Sequence, residues 1–363
     1  MEKQGRKFLA VLLSMCMLFG MFGTAVSAND LDGTSPEPPP PEADIAQVGD
    51  VTYPSLAEAV AAAEEGQTVA VLQSCSIDKI EITKGITITS EPGVVITVND
   101  EANRNNTGAT NGFQILQSVA GAVTFDGLTI VAEEAENAAG ILGLITIHVE
   151  EEDGAVVNVQ NCTLVNVGSN QGGYRHAISI ETFRGNEVFH YTLNVDNCDI
   201  TSKSYGIGEG LHNGHGNYTD VALNVQNTSF TSAEDSAGTI YNIHLPSALK
   251  SVQVENCNFS SIRNGGIKYI FNGDNQNAVS ITDNDFSGCN SDMASGSYAI
   301  MCTNSISDLE DPYCYCWASE ISGNNLCGQN VIIALKAELE TIWFPDGQAS
   351  NSTEFNNLAQ NNT

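Results

Sequence analysis

An eight-residue pattern returns seven times between Val123 and Leu326, and no other feature of the chain restricts its fold as strongly. It reads apolar, free, apolar, free, small polar or Gly, two free positions, then a large apolar anchor. The copies are Val123-Phe125-Gly127-Ile130, Val157-Val159-Asn161-Leu164, Leu193-Val195-Asn197-Ile200, Leu223-Val225-Asn227-Phe230, Val252-Val254-Asn256-Phe259 and Val279-Ile281-Asp283-Phe286. A weaker copy, Ser319-Ile321-Gly323-Leu326, follows. Anchors succeed one another at 34, 36, 30, 29, 27 and 40 residues. A unit this short cannot bury its own apolar face, so the repeat implies coils stacked around a shared core.

Each coil carries a second apolar run, such as His176-Ala177-Ile178-Ser179-Ile180, Tyr205-Gly206-Ile207, Gly266-Ile267-Lys268-Tyr269-Ile270 or Val331-Ile332-Ile333-Ala334. Two strand columns in about 30 residues fit a solenoid of parallel sheets, because a propeller blade needs four strands and a longer repeat. β-Branched runs at 68–72, 80–83, 86–89 and 94–98 add one or two earlier coils. Ahead of them, Ser55 stands three residues before Glu58, and Leu56, Ala59, Val60 and Ala63 share one face. This predicts a short helix ended by Gly66 and suited to cap the open end of the stack. Residues 335–341 read as helix-like, with a turn at Trp343-Phe344-Pro345-Asp346-Gly347.

The repeated Val-x-Val-x-Asn-Cys-x-Phe type of coil follows Ser55-Leu56-Ala57-Glu58-Ala59-Val60 and Gly66-Gln67-Thr68-Val69-Ala70-Val71-Leu72. Over residues 50–345 this resembles the exported bacterial members of the pectin-lyase-like superfamily. The resemblance implies an all-β fold, a right-handed parallel β-helix solenoid of about eight to nine coils with a short N-terminal capping helix. It implies no single activity. The superfamily includes pectate and pectin lyases, polygalacturonases, phage tailspikes and adhesins, and a shared fold does not carry a shared reaction. The chain then divides into a signal peptide (1–28), a proline-rich acidic linker (29–48), the β-helix domain (49–345) and a polar C-terminal tail (346–363).

Lys3, Arg6 and Lys7 precede an apolar stretch from Phe8 to Phe22, and Val26-Ser27-Ala28 offers a small-residue cleavage pattern. These features predict export, with the protein secreted or held at the cell surface and no membrane insertion after cleavage. The segment Ser35-Pro36-Glu37-Pro38-Pro39-Pro40-Pro41-Glu42 is a spacer. With 44 acidic and 13 basic residues the net charge is −31, which excludes nucleic acid and disfavours anionic membranes and polyanionic substrates. No cofactor is expected, and calcium is the ion that the acidity would suit as a counter-ion.

Nine cysteines remain after residue 28. Cys162, Cys198 and Cys257 each follow the turn Asn of their repeat and so share one column. Neighbouring coils lie about 4.8 Å apart, within reach of a disulfide, whereas the Thr228 coil separates Cys198 from Cys257. Within the column only Cys162–Cys198 can bridge; the alternative is that all three are small buried fillers. Cys314-Tyr315-Cys316, with Cys302 and Cys327, reads as a disulfide pair or surface thiols, and no metal site is expected without a histidine beside them.

Asn161, Asn197, Asn227, Asn256 and Asp283 predict a structural ladder, a buried column of amides hydrogen-bonded to one another and to the backbone. Any chemistry would sit instead in the segment 175–220, which holds four of the six histidines; the alternative is that these are solvated loop residues making local hydrogen bonds. There His176 or His212 would serve as acid or base near Glu181 or Glu209, with Arg175 or Arg184 and His215 binding substrate. Glu181 with Glu209 is the alternative, as a carboxylate pair for glycoside hydrolysis. Neither the paired aspartates of polygalacturonases nor the calcium-and-arginine arrangement of pectate lyases is recognisable. The expected function is therefore a non-catalytic attachment or glycan-binding protein, with polysaccharide or a cell-surface glycan as partner. A polysaccharide lyase or glycoside hydrolase acting on a uronic-acid polymer is the alternative. Oligomeric state is not specified by the sequence.

Overall fold

The computed structural model describes residues 44–99, 112–116, 119, 121–132, 143–149, 155–167, 176–182, 189–210, 219–232, 241–261, 266–271, 279–289, 298–304, 320–326 and 332–337. They belong to one compact unit, Ala43–Thr363. Residues 1–28, read above as a signal peptide, the proline-rich stretch and the polar tail lie outside the described residues. The first strand, Ala46–Val48, falls within the last residues assigned to the linker.

The described residues form a parallel β-helix with three sheets, here A, B and C, of eleven, eight and nine strands. A typical coil gives Ala155–Gln160 to sheet A, Thr163–Asn166 to sheet B and His176–Thr182 to sheet C. Coils stack in register: Val157 pairs with Val123 and Leu193, Leu164 with Ile130 and Ile200, and Ile178 with Ile145 and Ile207. The apolar positions of the repeat thus form continuous buried columns. Phe230, Phe259 and Phe286 stack nearly face to face, with centroids 5.1 and 4.7 Å apart. A stretch of about four turns lies within a stack whose sheets B and C count eight and nine strands.

Where two strand columns per repeat were expected, there are three. The extra bend lies inside the repeat, at its small polar residue. Asn161, Asn197, Asn227, Asn256 and Asp283 have φ between 50° and 56°, and Gly127 and Gly323 have 69° and 71°. This left-handed backbone turns the chain from sheet A into sheet B, and Asn, Asp and Gly are the residues that tolerate it.

The ladder therefore differs from the expectation of a buried column. Its amides do bond in sequence: Asn161 Nδ2 donates to Asp126 Oδ1, Asn197 Nδ2 to Asn161 Oδ1, Asn227 Nδ2 to Asp196 Oδ1 and Asn256 Nδ2 to Asn227 Oδ1, all at 2.7–2.9 Å. All five residues are exposed, because a left-handed turn points its side chain away from the core. The buried position is the next one along. Cys162, Cys198, Thr228, Cys257, Asn284 and Asn324 occupy it, each about 1–3% exposed or less. There Cys257 N–H donates to Asn284 Oδ1 at 2.9 Å, and Asn284 Nδ2 to Asn324 Oδ1 at 2.9 Å. Cys162, Cys198 and Cys257 are buried.

At the entry, Ala46–Val48 pairs antiparallel with both Val51–Tyr53 and Thr68–Val71, so a hairpin closes the edge of sheet A. The capping helix is Leu56–Ala62, with Ser55 Oγ accepting from Glu58 N–H at 3.2 Å and Leu56, Ala59 and Val60 buried. It ends at Ala63, three residues before Gly66. Lys84 Nζ donates to the carbonyls of Ala61 and Ala63 at 3.1 and 2.6 Å, satisfying groups the last turn leaves open. At the other end, Ile332–Ala337 is a strand beside Tyr298–Asn304, not the start of a helix. Pairing with a neighbouring coil outweighs the helix propensity of Leu335, Lys336 and Ala337.

Candidate functional site

After the first two coils, whose connections from sheet A to sheet B are three and four residues, coil length varies only beside one sheet. From sheet A to sheet B the connection is two residues in six successive coils, from Gly127 and Leu128 to Asp283 and Asn284. From sheet B to sheet C it ranges from one residue, between Ile77 and Lys79, to thirteen, between Val98 and Gly112. From sheet C back to sheet A it ranges from one, between Leu249 and Ser251, to fifteen, between Asn304 and Glu320. A site assembled from insertions must therefore border sheet C.

The outer face of sheet C is polar along its length. Glu81, Gln114, Thr146, Ser179, Gly208, His244 and Lys268 pair in one register column. Their chain neighbours Ile80, Phe113, Ile145, Ile178, Ile207, Ile243 and Ile267 fill the core behind them. Period-2 alternation sets this division. Lys79 and Glu81 form an ion pair at 2.5 Å on the first strand, which holds the Glu81 carboxyl below its usual range. Two coils on, the half-buried His148 bonds Gln114 Oε1 through Nε2. Burial lowers the basicity of His148, and the Lys79 ammonium lowers it further.

Around Gly208 the column becomes aromatic. The His176 ring stacks on Tyr205 with centroids 5.0 Å apart, and Tyr205 meets His244 edge-on at 4.5 Å. Tyr241 lies 5.9 Å from the same imidazole, and Lys268 Nζ stands 5.9 Å from the Tyr241 centroid. A Cβ at Gly208 would come within 2.7 Å of Tyr205 Cδ2 and 2.8 Å of His176 Nδ1, so only glycine lets the two rings lie over this strand. Burial pushes the pKa of His176 down to about 3, with His244 adding to the effect. Burial and then Lys268 do the same to His244, also to about 3. Both rings are neutral at neutral pH.

Several hydrogen-bonding groups in this seam are shut away from water without a partner among the described residues. They are Thr146 Oγ1, Ser179 Oγ and both ring nitrogens of His244. Thr146 and Ser179 are each 1% exposed. Leaving such a group unmatched costs about 1–3 kcal/mol, and Ser202 Oγ and Ser232 Oγ, at the ends of neighbouring sheet B strands, share that condition among the described residues.

Of the residues singled out in the sequence, Arg175, Arg184, His212 and His215 lie outside the described residues. His176 opens a sheet C strand and is fully buried. With so low a pKa it has no proton to donate at neutral pH and is a weak base. Glu181 and Glu209 sit on adjacent strands one step out of register, since Glu181 pairs with Gly210 and Glu209 with Ile180. Thr146, Ser179, His244 and Lys268 escaped the loop-based reading, and their signal was the polar half of the alternation in runs such as His176-Ala177-Ile178-Ser179-Ile180.

A second outward row lies on sheet A. Asn158 Nδ2 donates to Thr124 Oγ1 at 3.1 Å, Asn194 Nδ2 to Asn158 Oδ1 at 2.8 Å and Asn224 Nδ2 to Asn194 Oδ1 at 2.8 Å. These amides satisfy one another and stiffen the sheet. Compared with family models, curated proteins and solved structures, the chain matches none.

Proposed function

We propose that this is an exported, pectin-lyase-like β-helix protein of the cell surface or exterior that binds a glycan without cleaving it, along the outer face of sheet C. One observation carries the reading: the partly exposed rings of Tyr205 and His244 meet edge-on at 4.5 Å beside Tyr241, with Lys268 Nζ 5.9 Å from the Tyr241 centroid. Hydroxyls and a neutral imidazole serve the ring hydroxyls of a sugar, and aromatic faces serve its apolar face. The low basicity of His176 and His244 supports binding over proton transfer. The net charge of −31 favours a neutral glycan over a polyanionic one.

The test is retention of the full chain on a panel of neutral and uronic-acid polysaccharides. Reducing ends and unsaturated products are read on the same samples, with and without calcium. The expected result is retention on at least one glycan, weakened several-fold by Lys268→Ala at an unchanged thermal midpoint, with no new chain ends. Turnover would overturn the non-catalytic reading. Failure to be retained anywhere on the panel would overturn the glycan reading.

A further inference from the structure

Beneath the exposed turns, Cys162 and Cys198 occupy the same inward position on neighbouring coils. The strands on either side hold them level: Gln160 pairs with Asp196 in sheet A, and Thr163 with Asp199 in sheet B. Cys162 N–H donates to Cys198 Sγ at 3.5 Å. Adjacent strands stand about 4.8 Å apart, inside the Cα separation of about 4.4–6.8 Å that a disulfide requires. Cys257 shares the column, but the Thr228 coil lies between it and Cys198 and doubles the distance to about 9.6 Å, out of reach.

We infer that Cys162 and Cys198 form a cross-linking site, a disulfide that staples two neighbouring coils when a small-molecule or protein disulfide serves as oxidant. One cysteine, as thiolate, attacks the external disulfide, forming a mixed disulfide and releasing one thiol. The second cysteine then displaces the remaining external sulfur as another thiol. Two protons and two electrons leave the pair, and the external disulfide is reduced. Both sulfurs are buried, at 1% and 3% exposure, so exchange takes place before the two coils close. The bond closes the loop that carries residues 163–197 and restrains the unfolded chain, which is the origin of its stabilising effect.

The full chain is refolded with reduced and oxidised glutathione, alkylated in denaturant and mapped by mass spectrometry. The expected product joins the Cys162 and Cys198 peptides, leaves Cys257 alkylated, and loses several degrees of thermal midpoint on reduction. Cys257→Ser keeps that redox-dependent shift and Cys198→Ser abolishes it. Alkyl groups on both Cys162 and Cys198, or their capture by other cysteines, would overturn the assignment whether or not the variants fold.

Discussion

Replacing Asn197 by Gly and by Ala separates the two roles its turn position combines. The backbone stands at φ 52°, and the exposed side chain donates to Asn161 Oδ1 at 2.8 Å. Both substitutions remove that bond, worth about 0.5–1 kcal/mol net. Gly accepts the left-handed backbone freely but adds conformational freedom to the unfolded chain, costing about 0.5–1 kcal/mol. Ala avoids that entropy and instead meets the left-handed penalty of about 1–2 kcal/mol. The totals are about 1–2 kcal/mol for Gly and about 1.5–3 kcal/mol for Ala, so Ala is the worse residue. In an ordinary strand the order is reversed. The same turn is made by Gly127 and Gly323 in other coils, at φ 69° and 71°, which shows that glycine fits. Urea unfolding followed by circular dichroism gives the order directly, provided the slopes agree. An Asn197→Ala chain as stable as the Asn197→Gly chain would refute the argument, because the turn would then impose no left-handed constraint.

Two further outcomes follow from the seam on sheet C. Gly208→Ala brings a methyl to within 2.7–2.8 Å of Tyr205 and His176, and such overpacking costs about 1–3 kcal/mol, seen as a lowered thermal midpoint. His176 and His244 have pKa values of about 3 in the fold, below the ordinary 6.5, so the unfolded chain binds more protons between those values. Their contribution to stability is complete above about pH 6.5 and is lost as the pH falls toward about 3. Thermal midpoints across that range decline, and His176→Phe makes the decline shallower; an unchanged slope would show that the ring is not held neutral by the fold.

The coil architecture was legible because stacking forces every copy to repeat the same alternation, and Val157, Leu193, Leu223 and Val252 do so in register. The third sheet was not legible. Residues 157–164 read as one run, and only the positive φ of Asn161 divides it between sheets A and B. The same turn misdirected the ladder reading. A polar residue amid apolar ones looks like a buried amide, whereas the left-handed bend turns Asn161 outward and hands the buried place to Cys162. Ile332–Ala337 was obscured for a different reason, since its composition suits a helix and only pairing with the previous coil decides otherwise.

The site was half legible, and the missing half is a matter of geometry across coils. Of the histidines gathered in residues 175–220, His176 belongs to the seam, while His212 and His215 lie outside the described residues. Tyr205 and His244 come from later coils, and Lys268 from the coil after His244. No local spacing connects these residues. What does connect them is the constancy of the two-residue turn from sheet A to sheet B, which keeps the coils aligned while the other two connections change length. Because length changes are absorbed on both flanks of sheet C, its outer face can gain or lose residues without disturbing the stack. Freedom to vary and rigidity of support thus coincide there. For that reason the seam, rather than the regular amide row of sheet A, is where a specific ligand should be sought.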